Sequence, residues 1–486
     1  MKLGRPNGFA IQVEWLPCER LADRGQQATW AALRITCEGR PLTAHVAGGT
    51  VHEDVIGPAS ALAAWIGRSW PALIAGERVY RAARASHGHG LLEALTCAEW
   101  DGHEREIDEW LASHSLLRVG QGVLLPNAII WRRDDVVDVS WRSDPEPRTL
   151  GVQFLNTGAA RLPAEDLFQT LRDFVGAVWQ QIRSSDDRSQ SRAEVKRAHE
   201  CVNDVHSIEN LAARVGRTPS SLKRWLSGKK KDPLTLVTQA YGIEKPATFA
   251  AETLDSPIAR AARSASPSFS ERDHESLLKL GAKLRKLPAA LGLKALRAQV
   301  PAIAEPADED FARGYSRAER VRPLLEVART QRLDVEPLLR RLGCAVEDIR
   351  LDDFMTDGLA LWSREGQTLV AANTSSPRTI APWGRQAMFA HELFHLLFDA
   401  SQSRFFGEST NEWTATPSER EANAFAAELL LPIAEARPQD DLDAWKKEIA
   451  RLQKTYGTGR ELTIRHLSNR GKMPDQFVVP LLNDPA

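Results

Sequence analysis

Two periodicities alternate along the chain. ALRITCEGRPLTAHV and AIIWRRDDVVDVSW, between residues 32 and 141, each read as two β-rich runs joined by a polar or Gly/Pro-containing turn. AEDLFQTLRDFVGAVWQQI then repeats its apolar residues at helical spacing, so residues 1–182 are predicted to form an α+β domain. The polar RSSDDRSQSRAE closes it as a linker. Residues 196–250 form a short helical block, and the Ser/Pro/Arg-rich LDSPIARAARSASPSFSERDHES opens, as a flexible connection, a helical linker region over 251–310. From residue 311 to 486 the pattern is that of continuous structure. Within it, the run from Gln386 to Ser401 is apolar nearly all round, as in a helix buried at the centre of a domain.

Composition changes this picture in a few places. A chain of 486 residues exceeds one ordinary core and suggests about three domains. Nine of its fourteen tryptophans lie between Trp15 and Trp179, which gives the N-terminal region a core of its own. No stretch approaches the roughly 20 apolar residues of a membrane helix, so no membrane partner is expected. The N-terminus lacks the pattern of a secretory signal, and a cytoplasmic location is expected. The five cysteines are scattered and never form a CxxC pair, which argues against a thiolate metal site. With 63 basic and 64 acidic residues, overall charge points to no class of partner.

The chemistry lies on the apolar helix. His391 and His395 are four apart, so both imidazoles face the same way, about 5–6 Å apart at Cβ, and can reach one zinc ion (Zn2+). Glu392 is rotated one position round the helix, towards the open coordination position, where a general base takes the proton of an attacking water. A catalytic zinc needs a third protein ligand. SEREANAFAAELLLP supplies a second helix, on which Glu419 lies 24 residues after His395 (419 minus 395). Asn423, four further on, could hold a ligand by hydrogen bonding. Glu421 is the competing ligand and Glu428 a more distant one, because helix phase is not fixed by sequence alone.

These segments, GYSRAERVRPLLEVARTQ, GLALWSREGQTLVAANT, AHELFHLLF and EREANAFAAELLLP, occur in an order that resembles the ImmA/IrrE family of zinc metallopeptidases over roughly residues 311–472. The resemblance implies a zincin-like α+β fold, zinc ligands His391, His395 and Glu419, and Glu392 as catalytic base. Family members usually have a small residue before the second histidine, where this chain has Phe394, a departure that bears on local packing. The resemblance also implies the substrate: a helix-turn-helix repressor whose cleavage relieves repression of stress, mobile-element or defence genes. GQTLVAANT, over residues 366–374, is expected as an edge strand on which an extended peptide could pair. His466 is a candidate oxyanion donor.

IENLAARVGRTPSSLKRWLS, residues 208–227, has the features of a small all-α helix-turn-helix domain. Leu211, Val215, Leu222 and Trp225 form its core, Gly216 permits the turn, and Thr218 and Pro219 start the second helix. Arg217, Lys223, Arg224, Lys229, Lys230 and Lys231 make a basic run with no acidic residue, and Ser220, Ser221 and Arg224 would face a major groove. Double-stranded DNA is therefore a candidate partner beside the protein substrate. His87 and His89 in SHGHG are read as loop residues, and Gly120 and Gly122 lack the context of a phosphate loop. The reading is a multidomain α+β zinc endopeptidase. Its alternative is a DNA-binding regulator with a structural or inactive zinc site, and Glu392 discriminates the two.

Overall fold

The computed structural model describes all residues except 20, 76–91, 93–103, 121, 134–135, 149–150, 186–187, 205–206, 244–255, 266–267, 301–309, 400–405, 411–416 and 485–486. His87 and His89 lie outside the described residues. The chain is mixed α/β and divides into two compact units, Met1–Leu254 and Asp255–Ala486.

In the first unit, β1 (Lys2–Gly4), β2 (Phe9–Trp15), β3 (Trp30–Cys37) and β4 (Val55–Pro58) pair antiparallel, with β2 between β1 and β3 and β4 on the first half of β3. Strict alternation on β3 buries Ala31, Leu33, Ile35 and Cys37, the signature of a strand with one face on a core. Helix α1 (Ala59–Ala75) is buried along almost its whole length. A second antiparallel sheet joins β5 (Asn127–Arg133), β6 (Val136–Arg142) and β7 (Gly158–Pro163), with β6 in the middle. Helices α2 (Ala164–Ile182) and α3 (Gln190–Asn203) complete one shared core around Trp65, Trp70, Trp141 and Phe174.

The segment expected to be a polar linker instead begins α3. Ser189 caps that helix, and Asp23 accepts hydrogen bonds from Ser189 Oγ (2.8 Å) and the Ser191 amide (3.2 Å). Val195, Ala198 and Val202 then enter the core. The helical block that follows is α4 (Ile208–Arg214), α5 (Pro219–Leu226) and α6 (Pro233–Tyr241).

The second unit contains α7 (Pro257–Ser264), α8 (Glu271–Leu284), α9 (Leu291–Gln299), α10 (Asp310–Leu324), α11 (Val335–Arg341), β8 (Ala345–Ile349), β9 (Gly358–Trp362), β10 (Thr368–Asn373), α12 (Pro382–Phe398), β11 (Phe406–Thr410), α13 (Pro417–Leu430), α14 (Leu442–Tyr456) and α15 (Arg460–Asn469). Its sheet runs β8-β10-β9-β11, with β8 parallel to β10 and the other pairs antiparallel. The run expected as an edge strand is β10, and it is interior: β8 bonds one side of it and β9 the other. The segment expected as a flexible connection also folds. Ser256 caps α7, whose Ile258, Ala259, Ala261 and Ala262 are buried because small side chains let the helix lie close to β9 and β11. Helix α12 packs on β9, β10 and α13, and α13 packs on α10. No helix among the described residues is long and apolar enough to cross a membrane.

Candidate metal centre

Helix α12 starts at Pro382, whose fixed φ suits a first helical position. Met388, Phe389, Ala390, Leu393, Phe394, Leu396 and Leu397 are all buried, so the helix is enclosed on every side from Met388 to Leu397, while its first turn is exposed at Trp383. His391, Glu392 and His395 are buried with them, Glu392 and His395 completely. Helix α13 brings Glu419 alongside.

The three donor groups converge. His391 Nε2 and His395 Nε2 are 2.9 Å apart, and the Glu419 carboxylate lies 3.2 Å from the first and 3.1 Å from the second. Tetrahedral zinc with bonds of about 2.0–2.1 Å holds its ligands about 3.3 Å apart, close to the separations found here. Among the described residues this is the one cluster of His, Cys, Asp or Glu with its donor atoms within 4.8 Å of one another. Two imidazoles and one carboxylate are a donor set that suits a metal and leaves a further position open. Burial alone would raise the Glu419 carboxyl, yet His391 and His395 beside it hold it well below the usual carboxylate range.

Each imidazole is also held from its far side. His391 Nδ1 donates to Asn423 Oδ1 at 3.2 Å, and His395 Nδ1 donates to Asp399 Oδ2 at 2.7 Å. These bonds fix the tautomer in which both Nε2 lone pairs point at the centre. Asn423 stands where sequence spacing placed it, although its side chain is on the exposed rim. Asp399 was missed. It lies four residues after His395 on the same helix face, and that spacing was the signal that could have found it.

Of the three candidate carboxylates, only Glu419 lies beside both imidazoles. Glu421 accepts hydrogen bonds from Arg313 (Nε, 2.8 Å) and Arg317 (2.6 Å), on the side of α13 facing α10. Glu428 accepts from the Ile433 amide and lies 3.2 Å from His466, which itself donates to the Leu431 carbonyl at 3.0 Å. Glu428 is nine residues beyond Glu419, about 13 Å along the helix, so His466 stabilises the end of α13 and is not an oxyanion donor.

A model of the IrrE N-terminal-like domain, peptidase family M78, matches residues 339–468. Residues 339–468 are an ImmA/IrrE-family domain. The family is one of metallopeptidases, in keeping with the donor set of this domain. The match runs from the end of α11 into α15 and so includes the sheet, α12 and α13, while α7 to α10 precede it. No curated protein matches the chain.

In the first unit, α4 and α5 are joined by a turn in which Gly216 takes φ +64°, and Thr218 caps α5 through the Ser221 amide. Leu211, Val215 and Leu222 are buried between the helices. Ser220, Lys223, Arg224, Lys229, Lys230 and Lys231 are exposed. Arg217, expected in a phosphate-binding run, and Ser221, expected to face the groove, are instead engaged within the module. Arg217 is only 5% exposed; its Nε donates to the Tyr241 hydroxyl (2.7 Å), and Ser221 accepts from its Nη1 (3.1 Å). The guanidinium also lies over the Trp225 ring, with Lys229 3.3 Å from the same ring's centroid. Both residues hold the module together.

Proposed function

We propose that the second unit is a zinc-dependent endopeptidase that cuts a regulatory protein, a helix-turn-helix repressor being the class the family resemblance suggests. The observation that carries this reading is the convergence of His391, His395 and Glu419 beside a fully buried Glu392. Zinc held by those three residues would supply a Lewis acid and make an attacking water more acidic. Glu392 takes the proton from that water and returns it to the leaving amine. Asn423 and Asp399 keep the two imidazoles oriented throughout. A closed structural site would have no use for a general base beside an open coordination position.

The helix-turn-helix module we take to bind double-stranded DNA through Ser220, Lys223, Arg224, Lys229, Lys230 and Lys231, all of them solvent-facing. A cytoplasmic setting agrees with Cys18, Cys37, Cys201 and Cys344 being free thiols.

The test is cleavage of repressors encoded beside the gene. Wild type loaded with zinc should cut one of them at a defined bond, and Glu392→Gln should keep its zinc while cutting at least about a hundredfold more slowly. Cleavage by Glu392→Gln at the wild-type rate would remove Glu392 as the base, and failure of zinc-loaded wild type to cut any of them would remove the peptidase reading and leave a regulator with a structural zinc.

A further inference from the structure

We infer that Arg317 is a positioning residue that staples the helix carrying the two histidines to the helix carrying the third ligand. The inference rests on the metal reading above and joins Arg317, which precedes the matched family segment, to Glu421 and Phe394 within it. Arg317 lies on α10. Its Nη1 donates to Glu421 Oε2 at 2.6 Å, two residues along α13 from Glu419. The same guanidinium lies 4.5 Å from the ring centroid of Phe398 and 5.5 Å from that of Phe394, the residue before His395 on α12. One side chain therefore touches both halves of the site. Arg313 grips the other carboxylate oxygen of Glu421, through its Nε at 2.8 Å.

The surroundings make this contact rigid. The side chains of Arg317 and Glu421 are 18% and 7% exposed, so water cannot readily replace either. Phe394 is fully buried and packs on Phe398 and Phe425 at ring-centroid distances of 5.0 and 5.5 Å, which gives the guanidinium a fixed aromatic floor. Gly314, one turn before Arg317, lets α10 lie directly on α13, since a Cβ there would run into the Glu421 carbonyl. The bulky Phe394, the departure from the usual family pattern, thus has a partner in this chain. Glu421 is the handle by which α10 sets the rotation of α13, and that rotation decides whether Glu419 reaches the two Nε2 atoms.

Arg322 provides the control. It lies on the same helix and bonds α13 at the Leu429 carbonyl, ten residues beyond Glu419, so losing it should loosen the same pair of helices away from the site. Zinc affinity, by competition with a chromogenic chelator, and the melting temperature of the metal-free form are measured on full-length wild type, Arg317→Met, Arg317→Lys, Glu421→Gln and Arg322→Met. The expected result is a loss of zinc affinity of about tenfold or more for Arg317→Met and Glu421→Gln, with part of it restored in Arg317→Lys. Arg322→Met should melt earlier yet bind zinc within about twofold of wild type. Wild-type affinity in both Arg317→Met and Glu421→Gln would overturn the staple while leaving the metal centre standing, and so would an equal loss in Arg322→Met. Failure of wild type itself to bind zinc would remove both. Should Arg317→Met not fold, Arg317→Lys and Glu421→Gln carry the comparison.

Discussion

Glu419 and Glu421 are two residues apart on one helix, and nothing within that helix says which of them meets the two histidines. The answer comes from more than a hundred residues upstream, where Arg313 and Arg317 take Glu421 and so leave Glu419 to the histidines. Sequence spacing was enough to place His391 and His395 on one helix face, because neighbours four apart share a face whatever surrounds it. It was insufficient for Arg217, a basic residue in a basic run whose burial depends on Tyr241 and Trp225 packing around it. Two outcomes follow at this scale. Asp399→Asn should weaken zinc binding by about 10–100-fold, as loss of a group behind a metal ligand does, and chelator competition reads it directly. An unchanged affinity would mean that the His395–Asp399 bond does not orient the ring. Arg217→Ala should lower the melting temperature of the module as well as any DNA affinity, whereas Arg224→Ala should affect DNA alone.

Elements were legible where one force dominates. Alternation marks β3, all-round apolarity marks α12, and the Thr218–Pro219 start marks α5. They were illegible where small or polar residues are buried for reasons outside their own segment. Helix α7 reads as a flexible connection because it is rich in Ser, Pro, Arg and Ala, yet Ile258, Ala261 and Ala262 form a buried stripe at helical spacing behind the Ser256 cap. Likewise β10 is apolar enough for an edge or an interior strand, and only its pairing with both β8 and β9 distinguishes them. For α5 and the lysines after it, changing Arg224, Lys229 and Lys230 to Ala together should reduce the salt slope of DNA binding by up to about 3, since each phosphate contact contributes about 0.9. An unchanged slope would assign the face to a protein partner. Acid should loosen the second unit. Burial works against ionisation of Glu336 and Glu448, but Arg385 and Arg340 around the first and Arg451 and Arg437 around the second hold both carboxyls below their ordinary value. Folded pKa values below the unfolded value mean that this stability is fully present above about pH 4.3 and is lost as pH falls below it. Glu336→Gln should flatten that part of the stability profile measured by urea unfolding, and a steeper profile would contradict the assignment.

On the scale of the whole chain, the two units carry different burdens. The first has a core built on tryptophans and a three-helix block with an exposed basic face; the second has the family domain and its buried donor set. Length and tryptophan distribution pointed to more than one core, but they could not show that α3 completes the first core or that α7 to α10 belong to the second unit, because those contacts join residues far apart in sequence. Metal should stabilise one unit and not the other: zinc at a hundred times its dissociation constant adds about 2.7 kcal/mol to whichever unit binds it. Calorimetry of the full chain should therefore show one transition that shifts on chelation and one that does not. The most direct test of the account is the metal content of full-length protein purified without chelators, with X-ray absorption at the zinc edge. One zinc per chain in a nitrogen and oxygen environment with two imidazoles is expected, lost when His391, His395 and Glu419 are all changed to Ala. Protein without stoichiometric metal, or a triple variant that keeps its zinc, would contradict it.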